Sequence, residues 1–182
     1  MFEAFKNAWK IQDLRRKILW TLFIILLFRL GSVIPVPFID TDALLTLFDR
    51  ALENNAVGLL DTISGGALSR ASIFAMSITP YINASIIMQL LTVAIPAFEK
   101  MQKEGDEGRK KLQQYSRYLT VFLGLIQGWG YYGILTSNQA NVVTNKSWFT
   151  MIVITLSFTA GTAIIMWLGE KINEKGIGNG IS

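Results

Sequence analysis

Residues 71–98 carry no charged side chain between Arg70 and Glu99. A helix needs about 20 residues to cross a hydrocarbon core, and this run exceeds that length. Three further runs have the same character. Residues 18–37 are interrupted only by Arg29; residues 118–137 lie in an uncharged stretch that ends at Lys146; residues 147–169 continue uncharged to Glu170. Within a bilayer each backbone N–H and C=O must find its partner inside the protein, which leaves helices or closed barrels. The runs are continuous rather than alternating, so helices are expected. The expected spans are 18–37, 75–98, 118–137 and 147–169.

Composition narrows the chemistry. The chain has no Cys and no His, which removes disulfides, thiolate metal sites, Cys nucleophiles and imidazole bases. The sequence gives no sign of an enzyme and calls for no cofactor or metal. A net charge of +4 could point to nucleic acid, but the basic residues flank apolar runs instead of interleaving with aromatics on a polar face. No direct nucleic-acid partner is expected. The basic residues before the first run resemble the n-region of a signal peptide, but the run ends in LGSVIPVP (30–37), without a small-residue cleavage site. It is expected to stay attached.

The Lys and Arg distribution orients the chain, because short loops rich in them stay cytoplasmic. The N-terminal segment holds Lys6, Lys10, Arg15, Arg16 and Lys17. The loop after the second run holds Lys100, Lys103, Arg109, Lys110, Lys111 and Arg117, and the C-terminal segment holds Lys171 and Lys175. Only Arg50 and Lys146 fall in the two remaining loops, while Arg29 lies inside the first run and Arg70 at the start of the second. Both ends of the chain are therefore expected to be cytoplasmic. The interleaved charges of residues 99–117 read as a solvated cytoplasmic loop.

Residues 57–70 are too short and too rich in small residues to span, yet they lead directly into the 71–98 run, which Pro80 breaks. Together they read as a short re-entrant piece followed by a spanning piece. Broken elements at membrane depth occur where they are buried in protein or line a watery path. An apolar surface loop is the alternative. Ile78 and Ile82 are four residues apart, with Ser85 and Gln89 continuing that face and Thr79 and Asn83 beside it. The polar residues fit interhelical contacts; the two isoleucines fit packing or an apolar constriction. Gly124 and Gly128 have G-x-x-x-G spacing, with Gln127 between them, and allow close helix approach; Ser157 and Gly161 repeat the pattern more weakly. Arg29 is placed to snorkel or to pair within a bundle. GIGNG (176–180) lacks the Lys and the preceding strand of a phosphate loop, and reads as a turn into a further helix near 178.

The motifs RLGSVIPVP (29–37), SGGALSRASIF (64–74), ITPYINASII (78–87), QLL (89–91), EGDEGRKK (104–111) and GIGNGIS (176–182) occur in an order that resembles the bacterial SecY family of protein-conducting channels. The resemblance runs along nearly the whole of residues 1–182. It implies an all-α polytopic transmembrane bundle: four spanning helices, a short re-entrant half-helix, the start of a fifth helix, and together half of an inverted-repeat channel for secretion and membrane insertion of polypeptides. It implies that residues 60–74 form a plug, with Leu60, Asp61, Ile63, Gly65, Gly66, Leu68, Arg70 and Phe74 in it. It implies that Ile78 and Ile82 contribute to a pore ring, and that Asn83, Gln89 and Gln127 lie at or near a lateral gate. The implied partners are the SecE and SecG subunits, the SecA motor ATPase, the ribosome, signal peptides and translocating polypeptides, and membrane lipids. The implied location is the bacterial plasma membrane. The resemblance also implies that the parent chain continues past Ser182, with the rest of the ring and gate there.

Three other readings compete. A secondary transporter for a small solute also uses broken helices, but would want an ionisable residue near the middle of a span, and Arg29 stands there without Asp, Glu or His. A purely structural membrane subunit is opposed only by the plug-like segment and the resemblance. An intramembrane protease would need residue sets that the chain lacks. The orientation is directly testable, because no native Cys interferes within these residues: single cysteines at positions 50 and 146 are expected to react with impermeant thiol reagents only from the outside. Labelling only from the inside would reverse the topology.

Overall fold

The computed structural model describes residues 11–51, 67, 69–137 and 142–181. Among these residues six helices follow one another: α1 (Gln12–Gly31), α2 (Thr41–Ala51), α3 (Thr79–Ala94), α4 (Pro96–Lys103), α5 (Asp106–Ser137) and α6 (Trp148–Lys175). Among the described residues the only sheet-like features are two isolated antiparallel bridges, Pro35 with Ser72 and Ile39 with Val143. The all-helical expectation holds.

The helices depart from the expected runs for local reasons. Helix α1 stops at Gly31, where the Ser32 N–H turns back to the Phe28 carbonyl and the Val33 N–H to that of Leu30, and residues 32–37 leave the helix instead of completing the 18–37 run. Pro35 and Pro37 forbid its continuation, since each removes a donor and pushes the preceding residue to extended backbone. In the 71–98 run, Pro80 does not kink a helix that began earlier; it sits in the first turn of α3, and residues 71–78 are turns. Pro96 makes a second break. Ile95 before it is extended (φ −114°, ψ 115°), so α3 and α4 meet at 100°.

The charged segment 99–117, expected as a loop, is helical apart from a tight turn at Gly105 (φ 82°). Glu99 and Lys103 pair one turn apart on α4, and Gly108 lets α5 start directly against the carbonyl of Met101. Helix α5 thus begins twelve residues before the expected span 118–137, and α6 runs past Gly169 to Lys175. Among the described residues, α6 has by itself the length and mean hydropathy of a spanning helix and the bent α3–α4 pair is a second candidate, while α1 and α5 have the length but fall short in charge content or mean hydropathy. Helix α1 is shortened at its apolar end, and the apolar part of α5 is diluted by Gly, Gln and Tyr. The fifth helix expected near 178 is not formed within the described residues, where 176–181 are bends and turns.

Helix α5 packs along both α3 and α6, with Gly124 against Thr159 and Gly128 against the Thr155 carbonyl, as the G-x-x-x-G spacing predicts. Helix α1 touches α6 alone among the described helices. At one end of the bundle the connecting segments close over a core of Val36, Leu44, Ala71, Val142, Ile154 and Phe158. Backbone hydrogen bonds tie these segments together: Val36 N–H to Ala71 O at 2.9 Å, Ile73 N–H to Ile34 O at 3.0 Å, and Asp40 N–H to Val142 O at 2.8 Å. The Asp40 carboxylate also caps α2, accepting from the Asp42 and Ala43 amides at 3.0 and 3.1 Å.

The non-helical segment 71–77 enters the bundle through a slot made by two glycines. A methyl group on Gly161 of α6 would lie 1.8 Å from the Ile73 carbonyl oxygen, and one on Gly31 of α1 would lie 2.1 Å from the Phe74 ring. The slot exists only because both positions lack a side chain. Phe74 stacks on Phe28 with ring centres 5.5 Å apart. Gly161→Ala is therefore expected to lower thermal stability in detergent by about 1–3 kcal/mol, because backbone must move to admit the methyl group. Gly130→Ala, where nothing lies within 4 Å, is expected to be neutral or to stabilise by up to about 1 kcal/mol. Equal losses at the two sites would refute the slot.

Candidate functional site

The slot positions Ile78. Two non-glycine residues in the left-handed region, Ala71 (φ 44°) and Ser77 (φ 53°), bracket the buried segment. Such conformations cost of the order of 1–3 kcal/mol each and persist only where surrounding packing imposes them. Here the surroundings do so: Ser72, Ala71 and Phe74 are buried, the Ser72 N–H reaches the Ala67 carbonyl, and the Ser72 hydroxyl accepts from the Phe74 N–H at 3.2 Å. Ser77 then turns the chain so that Ile78 occupies the N-cap of α3, its carbonyl accepting from Tyr81 and Ile82.

Ile78 faces a cleft of about 450 Å³ between α1 and α6. Ile24 and Phe28 line one wall, Ile165 and Leu168 the other, and the turn 177–181 closes one end. No ionisable side chain lines it. The Ile78 methyl Cδ1 comes within 3.7 Å of the place a side chain on Gly169 would occupy, which fixes its level along α6. Ile82, one turn on, does not line this cleft and is 39 % exposed on the open face of α3. The two isoleucines therefore share a stripe but not the same surroundings.

The polar residues singled out on α3 and α5 are not gathered together. Asn83 and Gln89 are six residues apart, which sets them about 120° apart around the helix. Gln89 is exposed and donates to the Ser85 hydroxyl at 3.5 Å, within its own helix. Asn83 and Gln127 are half-buried, and no hydrogen bond joins any two of the three among the described residues. Of the residues assigned to the plug, Leu60, Asp61, Ile63, Gly65, Gly66 and Leu68 lie outside the described residues. Arg70 is exposed, and Phe74 is buried in the slot with Ala67 and Ile165.

Sequence reasoning missed the polar node at the opposite end of the bundle from the connecting-segment core. Glu170 on α6, almost wholly buried, accepts from Arg117 Nε at 2.8 Å and from Gln113 Nε2 at 3.3 Å, both on α5. Nearby, the Trp20 indole donates to the Lys171 carbonyl at 3.3 Å, the Lys175 ammonium lies 5.8 Å from the Trp20 ring centre, and the Thr21 hydroxyl accepts from the Ile177 N–H at 3.0 Å. These contacts hold α1 to the end of α6. The only signal in the sequence was that Arg117 and Glu170 bound apolar runs, and periodicity within one helix cannot pair residues on two.

A sequence profile of the SecY family matches residues 72–182. The protein translocase subunit SecY of Streptomyces griseus is 47 % identical over all of this chain, and those of Thermotoga maritima and Bacillus subtilis are 46 % and 44 % identical, again over all of it. The chain spans 42–44 % of the length of these relatives. In fold it is similar to canine Sec61 in a ribosome–channel complex from the endoplasmic reticulum and to a solved protein-conducting channel. Each gives a TM-score of 0.59 at 20 % identity, covering 92 % of this chain and 34 % of the other. The glycine slot, the left-handed turns and the apolar cleft are thus features of a chain that belongs to the SecY family.

Proposed function

We propose that this chain forms the N-terminal part of a protein-conducting channel in a bacterial plasma membrane, through which polypeptides are secreted or released into lipid. The observation that carries the reading is the placement of Ile78 by a non-helical segment held within the bundle, facing a cleft whose described lining is mostly apolar, with Thr21, Ser77 and Asn179 its polar members and no ionisable side chain among them. An apolar waist excludes ions by dewetting, with no need of a charged gate. The same absence of ionisable groups in the cleft speaks against a proton- or ion-coupled solute transporter.

In this reading α1, the α3–α4 pair, α5 and α6 cross the bilayer, with the basic residues cytoplasmic. Ile78 and Ile82 supply part of the ring, and residues 60–74 form the plug, anchored at its C-terminal end by the Phe74 slot. Helices α3 and α5 make one wall of a lateral exit, where exposed Gln89 and half-buried Asn83 and Gln127 are available to an arriving signal peptide. Polar groups at a seam can stay paired when it closes, which reduces their cost in lipid. SecE and SecG are the subunit partners, with SecA or a ribosome docking on the cytoplasmic side. The names of the relatives, translocase subunits and a ribosome-bound channel, support these assignments.

In the full-length protein with its partner subunits, Ile78→Gly or Ile82→Gly is expected to leave folding largely intact and to raise ion conductance in planar bilayers. Deleting residues 60–70 is expected to do the same and to admit weakly hydrophobic signal sequences. Conductance at the wild-type level in all three variants would remove the pore assignment. Photo-crosslinkers at positions 83, 89 and 127 are expected to capture a signal peptide; capture from α6 alone would place the exit elsewhere.

A further inference from the structure

We propose that Glu170 is a positioning residue: by binding Arg117 and Gln113 it latches α5 to α6 at the level of Ile78 and so fixes the width of the channel wall there. The inference rests on the pore reading for its consequence, but the latch itself is read from geometry. The Glu170 side chain is 8 % exposed, against 41 % for Arg117. Burying a carboxylate so far is costly unless it is hydrogen-bonded or ion-paired.

One oxygen, Oε1, takes both donors. Those donors, Gln113 and Arg117, stand one turn apart on the same face of α5. The carboxylate therefore fixes the register of α5: sliding the helix along its axis, or rotating it, breaks both bonds together. Farther along, the α5–α6 seam has no such direction, because Gly124 meets Thr159 and Gly128 meets Thr155 through van der Waals contact. The buried hydroxyls of Thr155 and Thr162 have no hydrogen-bond partner there. Glue of that kind tolerates sliding.

Position links the latch to the ring. Glu170 follows Gly169, the residue that Ile78 approaches, so latch and ring residue share one turn of α6. Tyr81, buried in the first turn of α3, lies within electrostatic reach of both Glu170 and Arg117. The helix carrying the ring residues thus lies within electrostatic reach of the ion pair that ties its two neighbours together.

The test uses the full-length protein with its partner subunits in proteoliposomes, with spin labels on cysteines placed at the exposed positions 118 and 167. Pulsed spectroscopy reads the α5–α6 separation, and ion flux reads leak. Glu170→Gln keeps side-chain volume and Arg117→Gln shortens the side chain; each leaves an uncompensated partner. Each is expected to shift the separation to longer distance and to raise leak. The double variant removes both charges and lets two amides pair, so it is expected to lie closer to wild type than either single variant. Wild-type separation in both single variants, or a double variant as displaced as the two singles summed, overturns the latch. A shifted separation with wild-type leak, together with a tight Ile78→Gly protein, supports the latch and removes the pore reading instead.

Discussion

The close approach of backbone to backbone at Gly161 is the constraint on which the other features depend. A helical bundle normally fills its interior with side chains, but here the carbonyl of Ile73 occupies the place where the Gly161 side chain would be. Gly31 yields the matching space to Phe74 from the other side. Non-helical chain can enter the bundle only if its own polar groups are satisfied, and they are, through Ile34, Val36 and Ala67. A side chain at Gly161 would force the backbone of the segment to shift, and one at Gly31 would displace the Phe74 ring.

Around this slot the two ends of the molecule are built on different principles. The end that gathers residues 34–44, 71–76 and 142–143 is an apolar core stitched by short backbone pairings. The other end is a polar node, in which the Arg117–Glu170 pair joins α5 to α6 and Trp20 and Thr21 join α1 to the end of α6. Apolar packing with backbone pairing at one end and side-chain hydrogen bonds at the other hold the elements on either side of Ile78.

Much of the local structure was legible from residue types. Pro80 signalled an interruption, which the structure places at the start of α3, while the 57–70 segment lies largely outside the described residues; the Gly124–Gly128 spacing signalled a close helix contact, which α6 supplies. Pro96 was equally visible but was subsumed in an uncharged run, although the residue before a proline leaves helical backbone. Charge hid the helix in 99–117, because interleaved signs read as a solvated loop, whereas Glu99 and Lys103 pair along one helical face.

The sequence by itself determined that the chain is helical, where its apolar stretches lie, how its charges are divided, and, through its motifs, its family. These follow from properties carried by single residues or by neighbours a few positions apart. Tertiary structure alone decided that Gly161 and Gly31, far apart in the chain, face one intruding segment, and that Glu170 meets Arg117. It also decided that Ile78 and Ile82, alike in the sequence, stand in different surroundings. The physical reason is that these outcomes depend on the relative depth and rotation of separate helices, which no periodicity within one helix encodes.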